Sequence, residues 1–257
     1  MAGSAISRVT RWLHVSSLST RCWCGIDDPI LVLLVEGAVL SVLVLMSRRQ
    51  SFKELNSAMA LTPAARQVQL AVLRTFVETG HGLSRHDLEH IAGAESTGVL
   101  AELAQRDALA FDASGEIRAA YPFSPRPTWC QVTWEGGPVV HAMCAIDALG
   151  MSVMLDRRVV ITASPPDGGP TVVVHVDHDQ ARWSPSTAVV YSAVAGPEGC
   201  APAVDRSCAY RNFFATEQAA RDWGASHPEL TGEVLDQARA LTFGITVFGT
   251  LMAETRV

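Results

Sequence analysis

The chain has 257 residues, of which 48% are hydrophobic, and its formal net charge is −6 at pH 7. This length is sufficient for one large domain or two small ones with a sizeable core. The negative charge argues against general affinity for nucleic acid or for anionic membrane surfaces, and it leaves small or cationic ligands open.

Six cysteines are distributed along the chain. Disulfide frameworks belong mainly to short secreted chains, and this sequence does not have the character of one. We therefore expect reduced thiols at all six positions, which are Cys22, Cys24, Cys130, Cys144, Cys200 and Cys208.

Residues 30–46 form an apolar run that is interrupted only by Glu36, Gly37 and Ser41. As a helix this run would span about 26 Å, slightly less than the roughly 30 Å of a bilayer core. It is interpretable as a membrane anchor, as a signal-like segment, or as sequence translated upstream of a start at Met46 or Met59. The signal fits least, because no clear cleavage site follows.

Residues 59–121 have the pattern of three helices and a hairpin. The start and stop signals of the helices follow one another in order: Thr62-Pro63, Ser84, Gly93 and Ser96. A turn at residues 112–115 then predicts the hairpin. This order of elements predicts a winged-helix-like domain.

The usual function of a winged helix is DNA binding, so a metal-responsive transcription regulator is one hypothesis. The third helix, however, carries Glu102 and Asp107 beside Arg106. An acidic helix is poorly suited to a groove lined with phosphates. We therefore expect a structural module that packs on the next domain and binds no nucleic acid.

A proline-rich segment, residues 122–128, is predicted to be a linker, and residues 129–257 to form an α+β domain. Its β-rich runs are separated by Gly, Pro and Asp and lie at residues 130–134, 158–162, 171–176, 188–193 and 208–214. Predicted helices at residues 141–155, 216–226 and 232–252 should pack on a mainly antiparallel sheet.

Cys144 and Asp147 are three residues apart, so on the helix predicted for residues 141–155 they share one face. Cys144 would lie in the first turn, where the helix dipole favours the thiolate. We predict that Cys208 completes a site of two thiols and one carboxylate, which suits a soft metal. The alternative is that the cysteines are ordinary buried apolar residues and that Asp147 is solvated.

These segments resemble motifs of the organomercurial (alkylmercury) lyase family. The family pattern Trp-Cys-Ala-x-Asp-x-Leu is matched by residues 143–149 except at its first position, and the family's second catalytic cysteine precedes Phe-Phe-Ala, as Cys208 does. A later segment, Asp222-Trp223-Gly224-Ala225-Ser226-His227, also matches. The resemblance covers about residues 60 to 251. Because the resemblance begins near residue 60, it favours the interpretation that residues 1–58 are an N-terminal extension translated upstream of the true start.

The resemblance implies protonolytic cleavage of a carbon–mercury bond, which gives a hydrocarbon and Hg(II). Cys144 and Cys208 would bind the mercury, and Asp147 would contact it and transfer the proton. No cofactor is implied, since mercury is substrate and product. The implied partners are an organomercurial and, as Hg(II) acceptors, small thiols or a mercuric reductase. The protein would be cytoplasmic, with membrane contact only if residues 30–46 are translated.

Three positions depart from the family pattern. Met143 replaces the usual Trp, Ala209 stands where some members have another Cys, and Ser164 lies near the position of a third, structural Cys. We expect these departures to affect substrate range and stability but not the reaction class. A noncatalytic mercury-binding protein that uses the same thiols remains an alternative, and Asp147 distinguishes the two because binding alone needs no acid.

Overall fold

The computed structural model describes residues 61–196 and 201–253. The predictions for residues 1–58, for the apolar run at residues 30–46, and for Cys22, Cys24 and Cys200 lie outside these ranges. Within them, no helix combines the length and the apolar character needed to cross a membrane.

The N-terminal part folds as three helices followed by a small hairpin. The elements are α1 (Pro63–Thr79), α2 (Arg85–Ala92), α3 (Ser96–Gln105), β1 (Ala110–Phe111) and β2 (Ile117–Ala119). Thr62 caps α1, Ser84 forms a capping box with Asp87 at the start of α2, and Gly93 ends α2. The predicted helix starts at Thr62 and Ser84 and the predicted helix end at Gly93 are therefore confirmed. The winged-helix character of the unit stays a prediction.

The core of these helices continues into the rest of the protein. Phe76 of α1 is fully buried, and its ring stacks on that of Phe123 with 5.1 Å between the ring centroids. Phe123 lies in β3 (Phe123–Ser124), which pairs with residues 141–142 in the larger sheet of the fold. The segment predicted to be a linker therefore contributes an edge strand. The division into domains at this point stays a prediction.

Two antiparallel sheets form the remainder of the fold. The larger has the order β3-β5-β4-β6-β7-β8, and the smaller has the order β10-β9-β11. Their strands are β4 (Cys130–Thr133), β5 (Val140–Ala142), β6 (Val159–Ala163), β7 (Val172–Asp177), β8 (Gln180–Ser184), β9 (Val189–Ala195), β10 (Arg211–Phe214) and β11 (Leu230–Leu235). With the helices that follow, these sheets confirm the predicted α+β class with mainly antiparallel strands.

Four further helices complete the described part of the chain: α4 (Ala145–Leu155), α5 (Ala203–Arg206), α6 (Glu217–Ala225) and α7 (Gln237–Phe248). Helix α4 is almost entirely buried and packs closely against α7. A Cβ atom added at Gly150 would lie 2.5 Å from the carbonyl oxygen of Gly244. Glycine at both positions therefore allows the two helix backbones to approach each other.

Several predicted boundaries are wrong for reasons of strand pairing. The helix predicted for residues 141–155 begins only at Ala145, because residues 140–142 form β5 between β3 and β4. The helix predicted for residues 232–252 is preceded by β11, whose six residues all pair with β9. Strand β8 was not predicted. The strand predicted for residues 208–214 begins only at Arg211.

The close approach of α4 and α7 leads to a stability prediction. Gly244→Ala would bring a methyl group within 2.7 Å of the Gly150 backbone nitrogen. We expect the free energy of unfolding to fall by about 1–3 kcal/mol, as for other overpacked sites. The control is Gly98→Ala in α3, where a Cβ meets no atom within 4 Å. That variant should gain up to about 1 kcal/mol from helix propensity.

Urea denaturation of the two variants and the parent measures both effects. Equal midpoints for Gly244→Ala and the parent would contradict the tight helix contact.

Candidate functional site

The three residues predicted to form the site lie together in the structure. The side-chain ligand atoms of Cys144, Asp147 and Cys208 are all within 4.8 Å of one another. Each residue is buried, with 3–4% of its surface exposed. The fold therefore assembles two thiols and one carboxyl group in a site shielded from water.

The first thiol belongs to the residue at the N-cap position of α4, whose side chain forms no capping hydrogen bond. Cys144 has an extended backbone, with φ −159° and ψ 179°, and its carbonyl oxygen accepts the hydrogen bond from the Ala148 N–H at 3.0 Å. It therefore precedes the first turn, in which the sequence had predicted it. Asp147 is the third residue of the helix, and its carboxylate accepts a short hydrogen bond from the Cys144 thiol. This arrangement has the spacing of a capping box.

The second thiol is carried by a short turn between α5 and β10. Residues Cys208–Tyr210 form a single 3₁₀ turn, and β10 then pairs with β9. The Ser207 N–H donates to the Ala203 carbonyl oxygen at 2.8 Å, which ties the turn to α5. The position of Cys208 therefore depends on α5 on one side and on the smaller sheet on the other.

Burial dominates the electrostatics of the site. It raises the pKa of the Cys144 thiol well above its ordinary value, and the neighbouring Cys208 raises it further. Burial also raises the pKa of the Asp147 carboxyl group well above its ordinary value, with Cys144 adding to the effect. The helix dipole was expected to favour a thiolate at Cys144, but desolvation outweighs it. Burial therefore disfavours ionisation of both groups at once, and it favours retention of the proton that the thiol donates to the carboxylate.

Arg211 is the nearby cation that opposes this effect. Its positive charge lowers the pKa of Cys144 and of Asp147, although less than burial raises them. The guanidinium carbon lies 5.2 Å from the centroid of the Phe243 ring. Its Nε is buried without a hydrogen-bond partner in the described part of the chain. Sequence reasoning missed this residue because a single Arg at the start of a strand carries no motif.

A cavity of about 280 Å³ opens beside the thiols. Cys144 and Cys208 line it, together with Trp129, whose side chain is 69% exposed. Its other walls include all three departures from the family pattern, namely Met143, Ser164 and Ala209. These substitutions therefore lie around the space where a ligand of the thiols would extend.

The remaining candidates do not join the site as ligands. Cys130 is a buried free thiol in β4 that lines the same cavity, and burial raises its pKa well above the ordinary value. His178 lies on the surface, where Asp156 and Asp177 each bind one of its ring nitrogens at 2.8 Å. Among the described residues, neither His178 nor His175 belongs to a cluster of possible metal ligands.

Comparison with known proteins identifies relatives of this chain. A family model described as alkylmercury lyase matches residues 123–249. The alkylmercury lyase of Staphylococcus epidermidis is 37% identical over 95 residues, which are 36% of this chain and 43% of that protein. The alkylmercury lyase of Bacillus cereus is 31% identical over 121 residues, which are 47% of this chain and 53% of that protein. The chain thus spans about half the length of these relatives.

A solved structure also resembles the fold. The crystal structure of the mercury-bound form of MerB2 superposes with a TM-score of 0.62 at 25% sequence identity, covering 78% of this chain and 98% of the other. The residues matched by the family model include Cys144, Asp147 and Cys208. On these grounds residues 123–249 form a domain of the alkylmercury lyase family.

Proposed function

We propose that this protein is an alkylmercury lyase, which cleaves the carbon–mercury bond of an organomercurial by protonolysis. The observation that carries the proposal is the grouping of two thiols and one carboxyl group within 4.8 Å beside a cavity. The relatives named alkylmercury lyase and the similarity to the mercury-bound form of MerB2 support it.

The two thiols have the chemistry needed to hold the metal. Soft sulfur ligands prefer soft cations to harder competitors, and mercury is among the softest. As the first S–Hg bond forms, the Cys144 thiol gives its proton to the carboxylate of Asp147, with which it is hydrogen-bonded. The Cys208 thiol forms the second S–Hg bond and releases its own proton with the group that the organomercurial carried in solution.

Asp147 then completes the reaction as a general acid. Its proton moves to the carbon atom while both electrons of the carbon–mercury bond move to that carbon, so the hydrocarbon leaves. Hg(II) stays on the two sulfur atoms. The raised pKa of Asp147 suits this role, because a buried carboxyl group keeps its proton until the carbon accepts it.

The hydrogen bond between Cys144 and Asp147 favours a lyase over a protein that only sequesters mercury. Metal binding requires the thiols, whereas protonolysis also requires an acid within hydrogen-bond distance of the reacting atoms. Asp147 is in that position, since it accepts the hydrogen bond from Cys144.

We also propose that the N-terminal unit is a winged-helix-like structural module and not a reader of DNA. In α3 the Glu102 carboxylate accepts hydrogen bonds from the N–H of Thr62 at 2.6 Å and from its hydroxyl at 2.7 Å. An acidic side chain on this helix would repel a phosphate backbone. These contacts join α3 to the start of α1 and thus serve the packing of the unit.

The proposal includes no resident cofactor, because the three side chains supply both metal ligands and the proton. The product would leave by exchange to small thiols or to a mercuric reductase, which must offer competing sulfur ligands. We assign the activity to the cytoplasm, where thiols are kept reduced. Membrane contact would arise only if residues 30–46 are translated.

Replacing either mercury ligand should abolish turnover. In Cys144→Ser or Cys208→Ser, one sulfur remains, so the second bond that weakens the carbon–mercury link cannot form. The measurement is hydrocarbon release from an organomercurial in the presence of excess thiol. Cys130→Ser is the matched control, since it changes a buried thiol of the same cavity, and it should keep substantial activity. Normal turnover in either ligand variant would rule out the two-thiol mechanism.

Replacing the acid should separate binding from cleavage. Asp147→Asn keeps the size of the side chain but removes its exchangeable acid proton. We expect Hg(II) to bind while hydrocarbon release falls about 10²- to 10⁴-fold, the range typical of general acid–base groups. Equal release by the variant and the parent would favour a proton from water or from added thiol, against the role proposed for Asp147.

Removing the charge of Arg211 should shift the pH dependence of mercury binding. Arg211 lowers the pKa of Cys144 and Asp147, so Arg211→Met raises both and makes the thiol proton harder to release. We expect the rise of Hg(II) affinity with pH to occur at higher pH than in the parent. The control is Arg182→Met, an exposed arginine of β8. Superimposable pH profiles for Arg211→Met and the parent would contradict the electrostatic role.

A further inference from the structure

Helix α5 ends two residues before Cys208, and its own residues are too few to stabilise it. It contains only four residues, and Pro202 at its start provides no side-chain cap. A helix this short is unstable in isolation, because ordering the first turn loses more conformational entropy than its few hydrogen bonds offset. The first N–H groups of any helix also need partners from outside it. The position of α5 must therefore be set by neighbouring groups.

The N-terminal unit supplies those partners. The Ala203 N–H donates to Asp107 Oδ2 at 2.7 Å, and the Val204 N–H donates to the Tyr121 hydroxyl oxygen at 2.8 Å. The Tyr121 hydroxyl in turn donates to Asp107 Oδ1 at 3.1 Å. Two side chains that are distant from α5 in sequence thus cap its N-terminus as a connected pair.

An ion pair fixes the same helix from another direction. Arg118 of β2 contacts Asp205 of α5, with 2.6 Å between Nη2 and Oδ2. This pair is partly exposed and would contribute little by itself. Combined with the two backbone contacts, it restricts the rotation of α5 about its axis. Three residues of the N-terminal unit therefore hold one turn of helix.

The environment of the capping pair suits a permanent contact. Asp107 follows α3 with φ +52°, a left-handed conformation that Asp tolerates better than most residues. Burial raises the pKa of the Tyr121 hydroxyl, so this group stays protonated and remains a donor to Asp107. Tyr121 itself is only 9% exposed. Asp107 and Tyr121 therefore hold each other in the orientation in which they accept hydrogen bonds from α5.

We propose that Asp107 and Tyr121 are positioning residues that set the location of the Cys208 thiol relative to Cys144. The path is short, because the Ser207 N–H bonds back to the Ala203 carbonyl oxygen at 2.8 Å and Cys208 is the next residue. Val204, whose N–H is bound by Tyr121, also lines the cavity. The consequence for turnover rests on the proposed lyase function, whereas the placement of the thiol does not.

The effect should be visible in the affinity for Hg(II) alone. Displacements of about 1 Å in a reacting group can cost about 100-fold in rate. Losing a hydrogen bond to a charged group corresponds to about tenfold or more in binding. We expect Asp107→Ala and Tyr121→Phe to weaken Hg(II) binding by about tenfold each, measured by competition with a small dithiol. Asp107→Asn, which keeps one acceptor oxygen, should recover part of the loss.

A second background identifies the route of the effect. In a chain that already carries Cys208→Ser, Cys144 is the one thiol left in the three-residue site, and it lies at the start of α4 and not next to α5. The Asp107 and Tyr121 variants should therefore leave the residual affinity of that chain unchanged. An equal loss in both backgrounds would overturn the proposal, since it would mean general damage to the fold.

Thiol accessibility provides a measurement that does not depend on mercury chemistry. Alkylation of Cys208 and Cys130 is followed by mass spectrometry in the full chain, and both thiols are buried in the parent. In the Asp107 and Tyr121 variants, alkylation should speed up at Cys208 but not at Cys130. Ser84→Ala is the control, because it removes a cap of α2 in the same unit without touching α5. It should not change the ratio of the two rates.

The outcomes are distinguishable from failure of the lyase proposal. If the parent releases no hydrocarbon, the lyase function fails, while the alkylation ratio still measures the hold on α5. If Cys208 alkylation and Hg(II) affinity match the parent in both Asp107→Ala and Tyr121→Phe, the positioning role is wrong.

Discussion

The hydrogen bond between the Cys144 thiol and the Asp147 carboxylate, buried at the start of α4, is the contact on which the proposed chemistry depends. It requires the thiol on the capping residue and the carboxylate three residues later, so that the acid turns back toward the sulfur. It also requires burial, because the same pair in water would ionise independently. The surrounding core therefore determines the protonation of the site.

The fold supplies this burial by placing the site where its two sheets approach each other. Cys144 follows β5 of the larger sheet, and Cys208 precedes β10 of the smaller one. Helix α4 contacts both sheets, and its opposite contact is with α7, where Gly150 and Gly244 allow the backbones to approach each other. In the proposed mechanism, a soft cation that bridges the two thiols would link residues next to the two sheets and would replace the thiol protons.

The features that could be predicted from the sequence are those with local causes. The side chains of Thr62 and Ser84 accept hydrogen bonds from N–H groups three residues away, so the local sequence is enough to predict where each helix begins. Strand β11 could not be predicted in this way, because its residues are extended by pairing with β9, which lies far away in sequence. The spacing of Cys144 and Asp147 is local, whereas the influence of Arg211 arises only when β10 packs against α4.

The three departures from the family pattern lie around the reacting groups and not among them. Met143, Ser164 and Ala209 all line the cavity, and none replaces a member of the thiol–carboxylate group. Substitutions on a cavity wall change which organic group fits, since an apolar wall discriminates by shape and buried area. The proposed cleavage depends instead on Cys144, Asp147 and Cys208, together with the turn of helix that we propose to position Cys208. Under this proposal the reaction class and the substrate range depend on different residues, which can change independently of each other.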